Sequence, residues 1–68
     1  MTINGVVTSF DELQGYGYLL GDDGTPFYFH CTAIADGSRV IAPGARVAAD
    51  RHVGRLGRDE AGDVRAIP

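Results

Sequence analysis

The run Tyr16-Gly17-Tyr18-Leu19-Leu20-Gly21-Asp22-Asp23-Gly24-Thr25-Pro26-Phe27-Tyr28-Phe29-His30-Cys31 decides the fold. Two short aromatic segments flank Gly-Asp-Asp-Gly, the chemistry of a hairpin turn, because glycine takes positive φ without strain and aspartate bonds its own backbone. Tyr16–Leu20 and Phe27–Cys31 therefore read as paired strands, with Pro26 at the first position of its strand, where a missing N–H is tolerated. Side chains alternate across a strand, so Phe27, Phe29 and Cys31 share one face and Tyr28 and His30 the other. The all-apolar face is the core, and the flat rings with polar tips suit a wet contact surface. The first segment is ambiguous. Tyr16, Tyr18 and Leu20 oppose Gly17, Leu19 and Gly21, so patterning alone would bury the tyrosines, and the residues leave the choice of face open.

Outward from this hairpin the same signals recur. Ile3–Phe10 is a strand rich in β-favouring residues that closes at Asp11-Glu12, and Asp11–Gly15 is a turn. Thr32–Ala42 is polar and irregular, Pro43-Gly44 suits a type II turn, Arg46–Val53 is a fourth strand, Gly54–Arg58 turns, and Glu60–Ile67 is the fifth. No helical period, internal repeat or linker is present. Five short strands in so small a chain suggest a closed barrel, which removes exposed sheet edges.

Composition bounds the function. The 68 residues hold one domain, spanning 1–68, with a thin stability margin and no room for a large enclosed substrate cavity. A hydrophobic share of 44% and a net charge of −3 are those of a folding chain, not of a disordered acidic tail. The lone Cys31 cannot form an internal disulfide, which points to a reducing, cytoplasmic setting. No apolar stretch approaches the ~20 residues of a membrane span, and Met1-Thr2-Ile3-Asn4 lacks the pattern of a signal peptide, so no membrane partner is expected. All six basic residues are arginines at or after position 39, so residues 1–38 carry −5 and residues 39–68 carry +2. That balance argues against a duplex-DNA binder, which presents a basic face for counterion release, and leaves single-strand binders that rely on stacking.

Catalytic and cofactor readings find little support. Adjacent His30 and Cys31 point to opposite faces of one strand, so no metal site is expected from them with His52 and the aspartates. Gly15-Tyr16-Gly17 lacks the third glycine of a dinucleotide fingerprint, position 20 being Leu20, and a chain without lysine has no P-loop. No nucleophile and base are brought together by the strand geometry, so the chain is read as a non-enzyme with no cofactor and no small-molecule substrate. Cys31 is read as a small hydrophobe in a strand core.

Gln14-Gly15-Tyr16-Gly17-Tyr18-Leu19 followed by Phe27-Tyr28-Phe29-His30 resembles the paired ribonucleoprotein-type motifs of the bacterial cold-shock proteins. The resemblance covers nearly the whole chain: Gly5, Val7 and Phe10 match the opening strand, Ala33-Ile34 the segment after the third strand, Gly44 and Val47 the entry to the fourth, and Gly57, Ala61 and Val64 the end. It implies an all-β, five-stranded antiparallel OB-type barrel whose second and third strands offer an aromatic platform to single-stranded RNA or DNA. Tyr16 and Tyr18 should then stand outward beside Tyr28 and His30, with Val7, Leu19, Phe27, Phe29, Ile34, Val47 and Val64 inside. The implied nucleic-acid-binding residues are Phe10, Gln14, Tyr16, Tyr18, Tyr28, His30 and Arg39, in a monomer acting as an RNA chaperone or in cold adaptation and gene regulation. The interleaved glycines would leave the rings uncovered and let a ligand approach the backbone.

Departures from the family pattern bear on affinity. Ser9 stands where the family usually has a platform tryptophan, Cys31 and Ser38 where aromatics are common, and Val6, Thr8 and Gln14 where lysines often sit. Three tyrosines holding one base each supply roughly 3–9 kcal/mol before ordering costs, which makes micromolar binding the expectation. Phosphate contacts would fall to Arg39, with Arg55 or Arg58 as further candidates, and one to three of them imply a single-strand salt slope of only about −0.7 to −2. Ala49 is small for its strand, Arg51 shares a face with Val47 and Val53, and Gly57–Ala61 is one residue longer than the common pattern. An under-filled core and low intrinsic stability follow as expectations. The alternative reading is a barrel that has lost most nucleic-acid affinity and serves as a protein-interaction module.

Overall fold

The strand signals read from the sequence correspond to five strands in the computed structural model, which describes residues 2–54 and 57–67. They are β1 (Thr2–Asp11), β2 (Tyr16–Gly21), β3 (Pro26–His30), β4 (Arg46–Val53) and β5 (Asp59–Ala66), with a 3-10 turn at Cys31–Ala33. The strands close into a barrel in the order β1-β2-β3-β5-β4. Every pairing is antiparallel except the β3–β5 seam, which is parallel at Tyr28 opposite Glu60 and is continued by a parallel bridge between Ile34 and Val64. A closed ring with an odd number of strands cannot alternate direction at every seam, so one parallel seam is a topological necessity. Among the described residues no helix is long and apolar enough to cross a membrane.

The core consists of Ile3, Val7, Leu19, Phe27, Phe29, Ile34, Val47, Ala49, Ala61 and Val64, and so includes all seven residues expected inside. Two irregularities set which side chains reach it. The β1–β2 register shifts between Val7 and Ser9, a bulge that changes the phase of β1. Phe10 consequently lies opposite Gly17 on the inner face, although an unbroken alternation from Val7 would send it outward. The β4–β5 register shifts between Ala48 and Asp50, next to Asp63 with its φ of 50°.

On β4 the inward alternation ends at the fully buried Ala49. Arg51 instead lies exposed and forms an ion pair with Asp59 at 3.0 Å, and Val53 is 68% exposed. Cys31 also departs from expectation. Its N–H still donates to the Gly15 carbonyl at 2.8 Å, but the chain has left the strand for the 3-10 turn, and the thiol is half-buried instead of in the core. His30 caps this turn, its Nδ1 accepting the Thr32 N–H at 3.2 Å, which draws the backbone away from the strand path.

Candidate nucleic-acid interface

Packing on the inner face of β2 decides the direction of the tyrosines. Gly17 is buried, and a Cβ there would collide with the Ser9 carbonyl oxygen and the Phe10 ring. Only glycine fits, so Gly17 and Leu19 take the inside and Tyr16 and Tyr18 stand outward. The glycine thus serves the close approach of β1, a different reason from the access for ligand that its spacing suggested. Gly15, with a φ of +77°, supplies the left-handed residue that ends the preceding turn.

Register then assembles the platform. Tyr18 lies opposite Tyr28 and Tyr16 opposite His30 across the β2–β3 pair. The Tyr16 and Tyr28 rings are 5.9 Å apart and tilted by 35°, and the Tyr18 and Tyr28 rings are 5.8 Å apart and nearly edge to face at 72°. Tyr16 and Tyr18 are 37% and 40% exposed, and Tyr28 between them is half-buried. His30 is exposed, and its Nδ1 accepts the Thr32 N–H at 3.2 Å and lies 2.9 Å from the Thr32 hydroxyl. Four side chains from two strands thus form one surface of rings and polar tips. Such a surface can stack unpaired bases and hydrogen-bond their edges.

The remaining expected site residues lie outside β2 and β3. Phe10 turns inward after the β1 bulge and is half-buried, its ring stacked on buried Phe29 at 5.9 Å and 11°. Gln14 is exposed in the β1–β2 turn, where its N–H and that of Leu13 donate to the Asp11 carboxylate at 3.0 Å. Arg39 is exposed in the loop after the 3-10 turn, with a φ of 62°. Arg55 lies outside the described residues.

Sequence reasoning missed one contact. The Arg58 guanidinium lies over the Tyr28 ring, 4.8 Å from its centroid. The parallel β3–β5 seam creates this neighbourhood, and no local sequence signal announces that seam.

Charge around the platform is sparse. On β1, Ser9 lies opposite Tyr18 and Asp11 opposite Tyr16, so that edge offers a hydroxyl and a carboxylate where a phosphate would need a cation. Three of the five described arginines are held in ion pairs, Arg46 with Asp22 at 2.9 Å, Arg51 with Asp59 at 3.0 Å and Arg65 with Asp63 at 3.0 Å. The hydrogen bond from Arg46 holds the Asp22 carboxyl below the usual aspartate range and raises the Arg46 pKa in return. Backbone N–H donors lower Asp23, through Thr25, and Asp36, through Ser38. A cleft of about 350 Å³ lined by Ile3, Phe27, Asp22, Asp23, Arg51 and Asp59 lies apart from the tyrosines, and base stacking on an open sheet face has no need of it.

No protein-family model matches the chain. Among known proteins, Cold shock protein 2 of Lactiplantibacillus plantarum is 36% identical over 55 residues, covering 79% of this chain and 83% of the relative. Cold shock protein 1 of the same organism is 38% identical over 48 residues, covering 69% and 73%. A solved structure described as Drosophila Unr CSD456 matches all of this chain with a TM-score of 0.82 at 23% identity, and this chain spans 27% of its length. The chain belongs to the cold-shock protein family. The family is one of nucleic-acid binders, and membership supports nucleic-acid binding in general terms.

Proposed function

We propose that the protein is a non-catalytic binder of single-stranded RNA or DNA that stacks unpaired bases on Tyr16, Tyr18 and Tyr28, with His30 as a hydrogen-bonding group at the edge. The observation that carries this reading is the outward cluster of three tyrosines in which the Tyr16 and Tyr18 rings each lie within 6 Å of the Tyr28 ring between them. Each base offers a π-face whatever its identity, so the platform is tolerant of sequence, and paired bases are not accessible to it. A monomer that binds only unpaired strands shifts a hairpin toward its open form by differential affinity alone, the mechanism of an RNA chaperone in the cytoplasm.

Titration of a labelled oligo-pyrimidine strand and of its duplex, followed by fluorescence polarisation, tests the reading. Saturable micromolar binding of the single strand, reduced at least fivefold in Tyr16→Ala and in Tyr28→Ala with the fold intact, is the expected result. A second reading, a protein-interaction module, draws on the Asp11 carboxylate beside Tyr16 and on the arginines tied up in ion pairs. Absence of single-strand binding at low salt would favour it.

A further inference from the structure

We infer that Arg58 is an exchangeable cap on the platform. In the free protein its guanidinium occupies a stacking face of Tyr28, and a base that stacks there must first displace it. The inference rests on the single-strand-binding reading above and adds a residue that sets affinity and its dependence on salt.

The geometry supplies the cap from the side of Tyr28 that the other tyrosines do not cover. Tyr16 and Tyr18 reach Tyr28 from β2, on one side of β3, while β5 lies on the other side. Glu60 pairs with Tyr28 across the parallel seam, so Arg58, two residues earlier, arrives beside the ring. The approach is held in place, since the Arg58 carbonyl accepts the Gly54 N–H at 2.8 Å and Gly57 turns the chain with a φ of 74°. The guanidinium centre then sits 4.8 Å from the ring centroid. A planar, permanently charged guanidinium is the side chain best suited to this stacking. Among the described residues Arg46, Arg51 and Arg65 are held by carboxylates, whereas Arg58 has no such ion pair and its cationic group is spent on the ring.

Displacement has two opposite effects on binding. Removing the cation from the ring opposes the base, by a factor of roughly two to five for an exposed cation–π contact. The freed guanidinium is then delivered next to the nucleotide, where it can neutralise one phosphate and release about 0.7 of a counterion. Salt screens the second effect more than the contact itself, so their balance changes with ionic strength.

The test compares wild type, Arg58→Ala and Arg58→Lys for binding of a short oligo-pyrimidine strand between about 0.05 and 0.5 M salt, a range over which phosphate contacts weaken steeply. Arg58→Ala is expected to show a slope shallower by about 0.7 and, at the highest salt, affinity two to five times tighter than wild type. Arg58→Lys, which keeps the charge without the flat stacking group, is expected to retain the wild-type slope. In the free protein, NMR should find the Arg58 side-chain protons shifted upfield by the Tyr28 ring, with the shift lost in Tyr28→Leu and on addition of the strand. Weaker binding of Arg58→Ala at every salt, an unchanged affinity and slope, or absence of the ring-current shift would each overturn the cap while leaving single-strand binding in place. Failure of wild type and Arg58→Ala alike to bind would overturn the binding reading and the cap with it.

Discussion

Ser9 marks the gap in the platform, and filling it measures what one ring is worth. The residue is exposed on β1 and lies directly opposite Tyr18, so a Ser9→Trp indole would stand beside that ring and extend the platform by one stacking position. A base stacked on an aromatic side chain contributes about 1–3 kcal/mol. Immobilising the indole costs roughly 0.5–1 kcal/mol of that. The net gain is then about 0.5–2 kcal/mol, a factor of roughly 2 to 30 in Kd. Stability should change little, because the position is solvent-facing and strands favour aromatic residues, so a shift within about 0.5 kcal/mol is expected. The chain contains no native tryptophan, so the new indole is a unique fluorophore, and its quenching by an oligo-pyrimidine strand reports stacking at that position. Ser9→Leu, which adds apolar area without a ring, is the control and should gain less than twofold. A folded Ser9→Trp protein whose indole is not quenched, and whose affinity stays within twofold of wild type, would refute the placement of bases on this face.

The salt dependence of single-strand binding should be shallow, with a log–log slope of about −0.7 to −1.4 if Arg39 and Arg58 are the phosphate contacts, and polarisation titrations that give a slope steeper than about −3 would contradict the sparse charge at the platform. Gly17→Ala should destabilise the fold by about 1–3 kcal/mol, since a Cβ has no room between the Ser9 carbonyl and Phe10, and thermal unfolding should show a loss of roughly 4–8 °C per kcal/mol. The carboxyls of Asp22, Asp23 and Asp36 are held below the ordinary aspartate range by their hydrogen bonds. Each therefore contributes stability that is present above the unfolded aspartate pKa and is lost as pH falls through the lower folded value, so melting temperature should drop on acidification and drop less steeply in Asp22→Asn. A saturating single strand should raise the melting temperature, by the equivalent of about 2.7 kcal/mol at a hundredfold excess over Kd, and an unligated domain that already melts high would argue against the low intrinsic stability expected of it.

Much of the fold was legible because its signals are local. Gly21-Asp22-Asp23-Gly24 carries hairpin chemistry, and the period-two pattern of Phe27 to His30 assigns two faces without reference to the rest of the chain. What escaped depends on contacts distant in sequence or on breaks in periodicity. The face chosen by β2 depends on the Ser9 carbonyl and Phe10 lying against Gly17, which its own alternation does not encode. The inward turn of Phe10 follows from a bulge earlier in β1, and Cys31 leaves the core because a capping histidine ends the strand one residue before the alternation does. Arg58 reaches Tyr28 only through a seam joining strands thirty residues apart, so its role became visible with the register of that seam.

If the proposed platform binds single strands, the scarcity of cations around it should also sharpen its choice of partner. Non-specific attraction to nucleic acid is the counterion-release term, which is available from a duplex and from a single strand alike. A protein with many phosphate contacts adds that common term to both affinities, and its preference for one form then rests on a modest difference between two large quantities. Here three arginines are neutralised by Asp22, Asp59 and Asp63, and Asp11 borders Tyr16, so the common term is small. The proposed stacking on Tyr16, Tyr18 and Tyr28 would be open only to unpaired bases and would make up most of what remains. On the proposed reading, modest affinity and strong discrimination against duplex are both expected from the same set of ion pairs, and an opened hairpin would be released again without a competing electrostatic hold on its re-formed stem.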